Sequence, residues 1–206
     1  MMKNSRIYLL TSLLILSACK DKKSNEIQLD KAKSTEVNST STPTKTNPEQ
    51  RISDIKNWYA EAQNSMKSSS KDCKKAEKKW VYKLDNELSM DFVNKATECN
   101  LPNEIKILTG QFNGYEWDEQ YSYYFKNGKL FFVYYEVNSE ACSDEYRIYY
   151  DENKQVIQIL TKTNNCSGDY VSDSNTKLTD PKRLSEILEY VNKGLIETNN
   201  ILNQKK

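Results

Sequence analysis

The feature that most constrains this chain is an Asn-Gly pair set between two aromatic runs. Tyr123-Tyr124-Phe125 leads into Lys126-Asn127-Gly128-Lys129, and Leu130-Phe131-Phe132-Val133-Tyr134-Tyr135 follows. Asn and Gly both tolerate the positive φ that a two-residue hairpin turn demands, and aromatic and β-branched flanks favour strands. Comparable runs cover residues 105–112, 120–125, 130–137, 144–150 and 156–161, with Asp151-Glu152-Asn153-Lys154 as the turn between the last two. Short connections between such runs predict an antiparallel meander. Upstream the pattern weakens. Trp80, Tyr82 and Leu84 alternate as in a short strand, and residues 92–99 read as either a strand or a helical turn.

Two helices bracket the meander. Asn47-Pro48-Glu49-Gln50 offers a cap, a proline at the first helical position and Gln at the third. Ile52, Ile55, Tyr59, Ala62 and Met66 then recur every three to four residues, beside Trp58, until Ser68-Ser69-Ser70 interrupts them. Asp180-Pro181 opens the second helix, whose apolar stripe is Leu184, Ile187, Leu188, Val191 and Leu195. The expected fold is α+β: an antiparallel β-meander of about five to six strands packed against an N-terminal and a C-terminal helix. A domain of this size buries about 70% of its unfolded surface, enough for one core.

That domain is expected over residues 48–206, behind two other segments. Residues 1–18 read as a lipoprotein signal peptide. Lys3 and Arg6 form a positive start, and Ile7 to Leu16 is a ten-residue apolar run, too short to span a bilayer. Leu16-Ser17-Ala18-Cys19 resembles the bacterial lipobox. That resemblance implies a diacylglyceryl group on the Cys19 thiol, cleavage before Cys19, and a membrane anchor of several chains. Residues 19–47 then form a tether. Eight of the thirteen residues from Ser34 to Thr46 are Ser or Thr, so the segment lacks the apolar surface to offset its chain entropy. The expected location is the bacterial cell envelope, at the outer membrane, with the periplasmic or surface side left open.

Composition excludes several chemistries. The chain has no histidine, which removes Ser-His-Asp and Cys-His catalysis, HExxH zinc sites and the histidine pH switch. Its net charge is +1, and loss of Lys3 and Arg6 with the signal makes it about −1, so no global field draws nucleic acid. With Cys19 acylated, Cys73, Cys99, Cys142 and Cys166 form an even set in an exported chain, which predicts disulfides. The up-and-down path of the meander brings Cys142 and Cys166 to one end of the sheet, leaving Cys73 to pair with Cys99. Spacings of 26, 43 and 24 with no CxxC suit no zinc pattern. Asp169, Asp173 and Asn175 carry oxygen ligands but lack EF-hand spacing. Neither a metal nor a cofactor is expected.

Eight of the fourteen tyrosines lie between Tyr121 and Tyr150. Alternation puts Leu130, Phe132 and Tyr134 on one face of their strand and Phe131, Val133 and Tyr135 on the other. Either helices cover both faces, or one face is a partly exposed aromatic surface. Exposed Tyr and Trp favour protein or glycan contacts, so Trp117, Tyr121, Tyr123, Tyr135 and Tyr149 are the candidate ligand-binding residues. Glu116, Asp118, Glu119, Glu136, Glu140, Asp144 and Glu145 surround this sheet, and Glu116 and Asp118 flank Trp117 as at a sugar-stacking site. A carboxylate-based glycosidase would need two such groups facing across the scissile bond. No catalytic residue is assigned.

The segments Tyr123-Tyr124-Phe125-Lys126-Asn127-Gly128-Lys129-Leu130-Phe131-Phe132-Val133 and Tyr146-Arg147-Ile148-Tyr149-Tyr150-Asp151-Glu152-Asn153-Lys154 resemble the repeated aromatic hairpins of small uncharacterised bacterial lipoproteins of the Bacteroidota type. The resemblance spans about residues 93–162. Lys154 stands where the second hairpin usually has glycine. What it implies is the fold, with no activity or ligand. The functional expectation is a membrane-tethered binding module for a protein or glycan. The alternatives are a carboxylate-based hydrolase of envelope glycans and a purely structural envelope lipoprotein.

Overall fold

Asn47 starts the first helix: its side-chain oxygen accepts the Glu49 amide at 3.0 Å and its carbonyl accepts the Arg51 amide. Pro48 at the first helical position has no N–H to leave unpaired, and α1 runs from Pro48 to Ser69. This is a computed structural model, and it describes residues 47–69, 73–84, 88–140, 142–164 and 175–204. The signal segment, Cys19, the tether as far as residue 46, Cys166, Asp169 and Asp173 lie outside the described residues.

After α1 the chain forms β1 (Lys74–Lys83), β2 (Ser89–Leu101), β3 (Ile105–Asn113), β4 (Trp117–Lys126), β5 (Lys129–Ser139), β6 (Ser143–Tyr150), β7 (Val156–Asn164) and β8 (Thr176–Lys177). Each pairs antiparallel with the next, in chain order, as one open sheet. Asn127 and Gly128 both take positive φ, 52° and 72°, as the β4–β5 hairpin requires. The α2 helix (Pro181–Leu202) follows; the Asp180 carboxylate accepts the Arg183 amide at 3.0 Å and caps it. No helix among the described residues is long and apolar enough to cross a membrane.

The fold is α+β with one helix before the sheet and one after it, but among the described residues the sheet has eight strands, not five to six. Sequence patterning fell short at the edges. β1 carries five lysines in ten residues and is exposed along most of both faces, a composition that guards an edge strand against stray pairing. It therefore shows little of the alternation that marks a half-buried strand. At the other edge, β8 is two residues long.

Helices cover both faces of the sheet. One core joins Ile187, Val191, Ile201 and Leu202 of α2 to Leu108, Tyr121, Tyr123, Val133, Tyr135, Tyr146 and Ile148. The other joins Ile55 and Ala62 of α1 to Ile107, Tyr124, Phe131, Phe132 and Tyr149. Simple alternation placed Phe131 opposite Phe132. Instead, Tyr124 pairs with Phe132 and Phe125 with Leu130, which leaves Phe131 as an extra residue in a β-bulge. Phe131 thereby turns toward α1, its ring edge-on to Trp58 at 5.4 Å, while Leu130 packs on the α2 side. Cys73 and Cys99 form a disulfide across the β1–β2 end. The other expected bridge, Cys142 to Cys166, involves a residue outside the described set.

Candidate functional site

The β-ladder register builds a row of aligned residues across the α2 face. Ala96 pairs with Gly110, Gly110 with Tyr121, Tyr121 with Tyr135 and Tyr135 with Tyr146. Cross-strand neighbours on one face stand close enough for rings to stack. Tyr121 and Tyr135 have centroids 4.6 Å apart and planes 7° from parallel; Tyr135 and Tyr146 are 5.5 Å apart at 19°. The small residues at the start of the row admit α2. A β-carbon on Gly110 would collide with Thr198 Oγ1.

Beside this row the sheet, α2 and the β3–β4 loop enclose a cleft of about 890 Å³, within the range of small-ligand sites. Tyr121, Tyr135 and Tyr146 form its floor, and Arg183, Ile187, Tyr190, Gly194 and Glu197 line it from α2. Those α2 positions recur every three or four residues and so occupy one side of the helix. Trp80 and Tyr82 of β1 and the loop residues Tyr115 and Trp117 complete the wall. Nine of the twenty lining residues are aromatic, so stacking on flat apolar faces is the dominant chemistry on offer. Trp117 is 48% and Tyr190 43% exposed, which places accessible rings around the mouth.

Local hydrogen bonds fix the loop. Asn94 Oδ1 accepts from the Trp80 indole N–H at 3.2 Å and the Asn113 backbone amide at 3.1 Å. The Asn113 side chain in turn donates to the Val93 carbonyl at 3.0 Å. Gly114 donates its amide to the Trp117 carbonyl at 2.8 Å, and a β-carbon on Gly114 would stand 2.7 Å from that oxygen. Tyr82 and Tyr115 stack at 5.5 Å across the opening.

The polar groups sit at the ends of the tyrosines. Tyr135 donates its hydroxyl to Glu119 Oε1 at 2.9 Å. Burial, then the neighbouring Tyr135 and Glu119, hold the Tyr121 phenol far above its ordinary range; burial and Glu119 do the same to Tyr135. Arg183 donates to the Tyr146 hydroxyl at 2.7 Å and lies 3.5 Å from Asp144 and 3.4 Å from Glu186. Glu197 pairs with Lys78 at 2.7 Å, and hydrogen bonds from Lys78 and Asn200 lower its carboxyl pKa.

Of the five candidates read from the sequence, Trp117, Tyr121 and Tyr135 line this cleft and Tyr123 and Tyr149 do not. Tyr123 is fully buried under α2, donating to the Val191 carbonyl at 2.7 Å. Tyr149 faces α1 and lines a smaller hollow of about 190 Å³ with Ile55, Tyr59, Phe132 and Arg147. The expected carboxylate pair divides as well: Glu116 lines the cleft but Asp118 does not, because alternation along β4 puts Trp117 and Glu119 on the cleft face and Asp118 on the other. Sequence reasoning missed Trp80, Tyr82, Tyr115, Tyr146 and Tyr190 as lining residues, while Glu119 stood among the carboxylates it placed around the sheet. The Trp80–Tyr82 alternation and the second stripe of α2 were the available signals. Asn175 accepts a hydrogen bond from Arg147 Nη1, and no group of three or more acidic or cysteine ligands that could hold a metal occurs among the described residues.

No protein-family model matches the chain, and neither a curated protein nor a solved structure shows significant similarity to it.

Proposed function

We propose that this chain is a lipid-anchored envelope protein, tethered through Cys19, whose domain binds a glycan in the aromatic cleft beside α2. The observation that carries the reading is the cleft itself: accessible Trp117, Tyr115 and Tyr190 at its mouth, stacked tyrosines at its floor, and carboxylates between them. Sugar rings present apolar C–H faces and polar edges, and a site of this make-up meets both. A concave cleft of 890 Å³ favours a short oligosaccharide over a flat protein surface. A tether would leave the domain free to sample glycans near its membrane.

Glu116 and Glu119 share the cleft, which supports a hydrolase as the second reading. Such an enzyme needs one carboxylic acid kept protonated, and Glu197 is disqualified from that role by its lowered pKa.

Titrating the full chain with a panel of envelope glycan fragments while following tryptophan fluorescence tests the proposal. A saturable change is expected, with its midpoint shifted about tenfold to weaker binding in Trp117→Ala. A flat response across the panel would overturn it, and turnover of a bound fragment would move the assignment to the hydrolase.

A further inference from the structure

Three bases stand in or beside the cleft, and each already faces a carboxylate. Arg183 has Asp144 and Glu186, Lys193 has Glu189 at 2.7 Å, and Lys78 has Glu197. Glu119 is different. It lies half-buried in the cleft wall, accepts the Tyr135 hydroxyl, and has no ion pair among the described residues. Glu116, at the mouth, has none among them either. Counting the lining residues and these partners, six carboxylates (Glu116, Glu119, Asp144, Glu186, Glu189, Glu197) face four bases, because Lys182 also lies 3.9 Å from Glu186. The deficit of positive charge falls on Glu116 and Glu119, and of the two only Glu119 is half-buried. A partly desolvated carboxylate held only by neutral hydroxyls carries an electrostatic cost that an incoming cation relieves. Aromatic walls add to the attraction, because ring faces also favour cations.

We propose that the glycan unit bound in this cleft carries a free amine, and that its ammonium sits at Glu119 between the tyrosine floor and the rings of Trp117 and Tyr190. This rests on the glycan reading above and narrows it to amino sugars that are not acylated on nitrogen. A neutral sugar would leave Glu119 without a counter-charge. An anionic one would add to the existing excess.

The test is calorimetric titration of the full chain with three probes: a glucosamine trimer, an N-acetylglucosamine trimer and trilysine. The glucosamine trimer is expected to bind about tenfold or more tightly than its acetylated form, the scale of one charge-assisted contact. That preference should disappear in Glu119→Gln and survive in Glu119→Asp, which retains the charge. Glu119→Gln keeps an acceptor for Tyr135, and an unchanged melting temperature would show that it folds. If both trimers bind alike and Glu119→Gln changes nothing, the ammonium assignment falls and the glycan reading stands. If neither trimer binds, the ammonium assignment falls for want of a glycan. If trilysine binds as tightly as the amino sugar, the site selects amines in general and the sugar assignment is overturned.

Discussion

Gly194 of α2 lies directly against Tyr121 of β4: a β-carbon at Gly194 would stand 2.7 Å from Tyr121 Cζ and 2.7 Å from the Tyr123 hydroxyl. In an exposed helix interior, glycine costs about 1 kcal/mol relative to alanine. Here the close approach reverses that order. Gly194→Ala is expected to destabilise the domain by about 1–3 kcal/mol, as overpacked cores do. Because Gly194 and Tyr121 both line the cleft, the substitution should also weaken ligand binding. A melting curve checks the sign. A rise in melting temperature would mean that the helix does not approach the sheet this closely.

The disulfide between Cys73 and Cys99 links residues 26 apart in sequence. It closes the end of the β1–β2 hairpin next to the α1 core, where Cys99 is buried and Cys73 partly so. Loop-closure entropy assigns such a link about 3 kcal/mol. The Cys73→Ser/Cys99→Ser double variant is expected to lose that stability and to release β1, an edge strand exposed along most of its length. Hydrogen exchange reads both effects. Amides of β1 and β2 should lose protection first, ahead of those in β4 and β5. Uniform loss over the whole sheet would place the link's contribution elsewhere.

The meander was legible because β3 to β7 are rich in β-branched and aromatic residues between short polar turns, and because Asn127-Gly128 admits few other conformations. Both helices were legible from their caps. The edge strands were not: the lysines of β1 answer to solvent rather than to a core, and β8 is held by two pairs, Leu160 with Lys177 and Thr161 with Thr176. A bulge is also invisible to alternation, so Phe131 changed faces unannounced. The cleft was half legible. Tyr121 and Tyr135 come to face one another only through the Phe131 bulge, since unbroken pairing from Lys126 and Lys129 would set Tyr134 opposite Tyr121, and the α1 side of Tyr149 follows from alternation only once the two helices are assigned to faces. Tyr190 joined the site through the way α2 crosses the sheet, which no local pattern encodes, whereas Glu119 shares the Tyr121 face of β4 by alternation.

Burial of tyrosine has a consequence at high pH. Tyr121, Tyr123, Tyr124 and Tyr135 are all buried, and desolvation is the first reason that their hydroxyls stay protonated far above the usual phenol range; Tyr150 is pushed up to about 12. An unfolded chain ionises these phenols near pH ~10. Above that pH the unfolded state binds fewer protons than the native state, so stability falls as pH rises. Below it this contribution is fully present. Each such tyrosine removes about 1.4 kcal/mol per pH unit, and four together remove about 5, comparable with the whole stability of a typical domain. Cooperative unfolding is expected between about pH 10 and 12, with the buried phenols ionising in the same step. Absorbance at the phenolate band, recorded alongside circular dichroism, tests this. Gradual phenol titration with intact secondary structure would contradict it.

The two aromatic faces of the sheet should answer differently to substitution. Trp117 is 48% exposed at the cleft mouth and belongs to neither core, so removing its ring costs little packing. Tyr149 is buried on the α1 face, its ring 5.2 Å from Phe132. Trp117→Ala is therefore expected to leave the melting temperature nearly unchanged while weakening glycan binding by about tenfold, typical of losing one stacking ring. Tyr149→Phe preserves the ring packing and is expected to leave binding unchanged. Tyr123→Phe supplies the contrasting case. It removes a buried hydroxyl that donates to Val191, so it should cost about 1 kcal/mol of stability with affinity preserved. Melting and titration of the three variants side by side separate the roles. Loss of affinity in Tyr149→Phe but not in Trp117→Ala would move the ligand to the α1 face of the sheet.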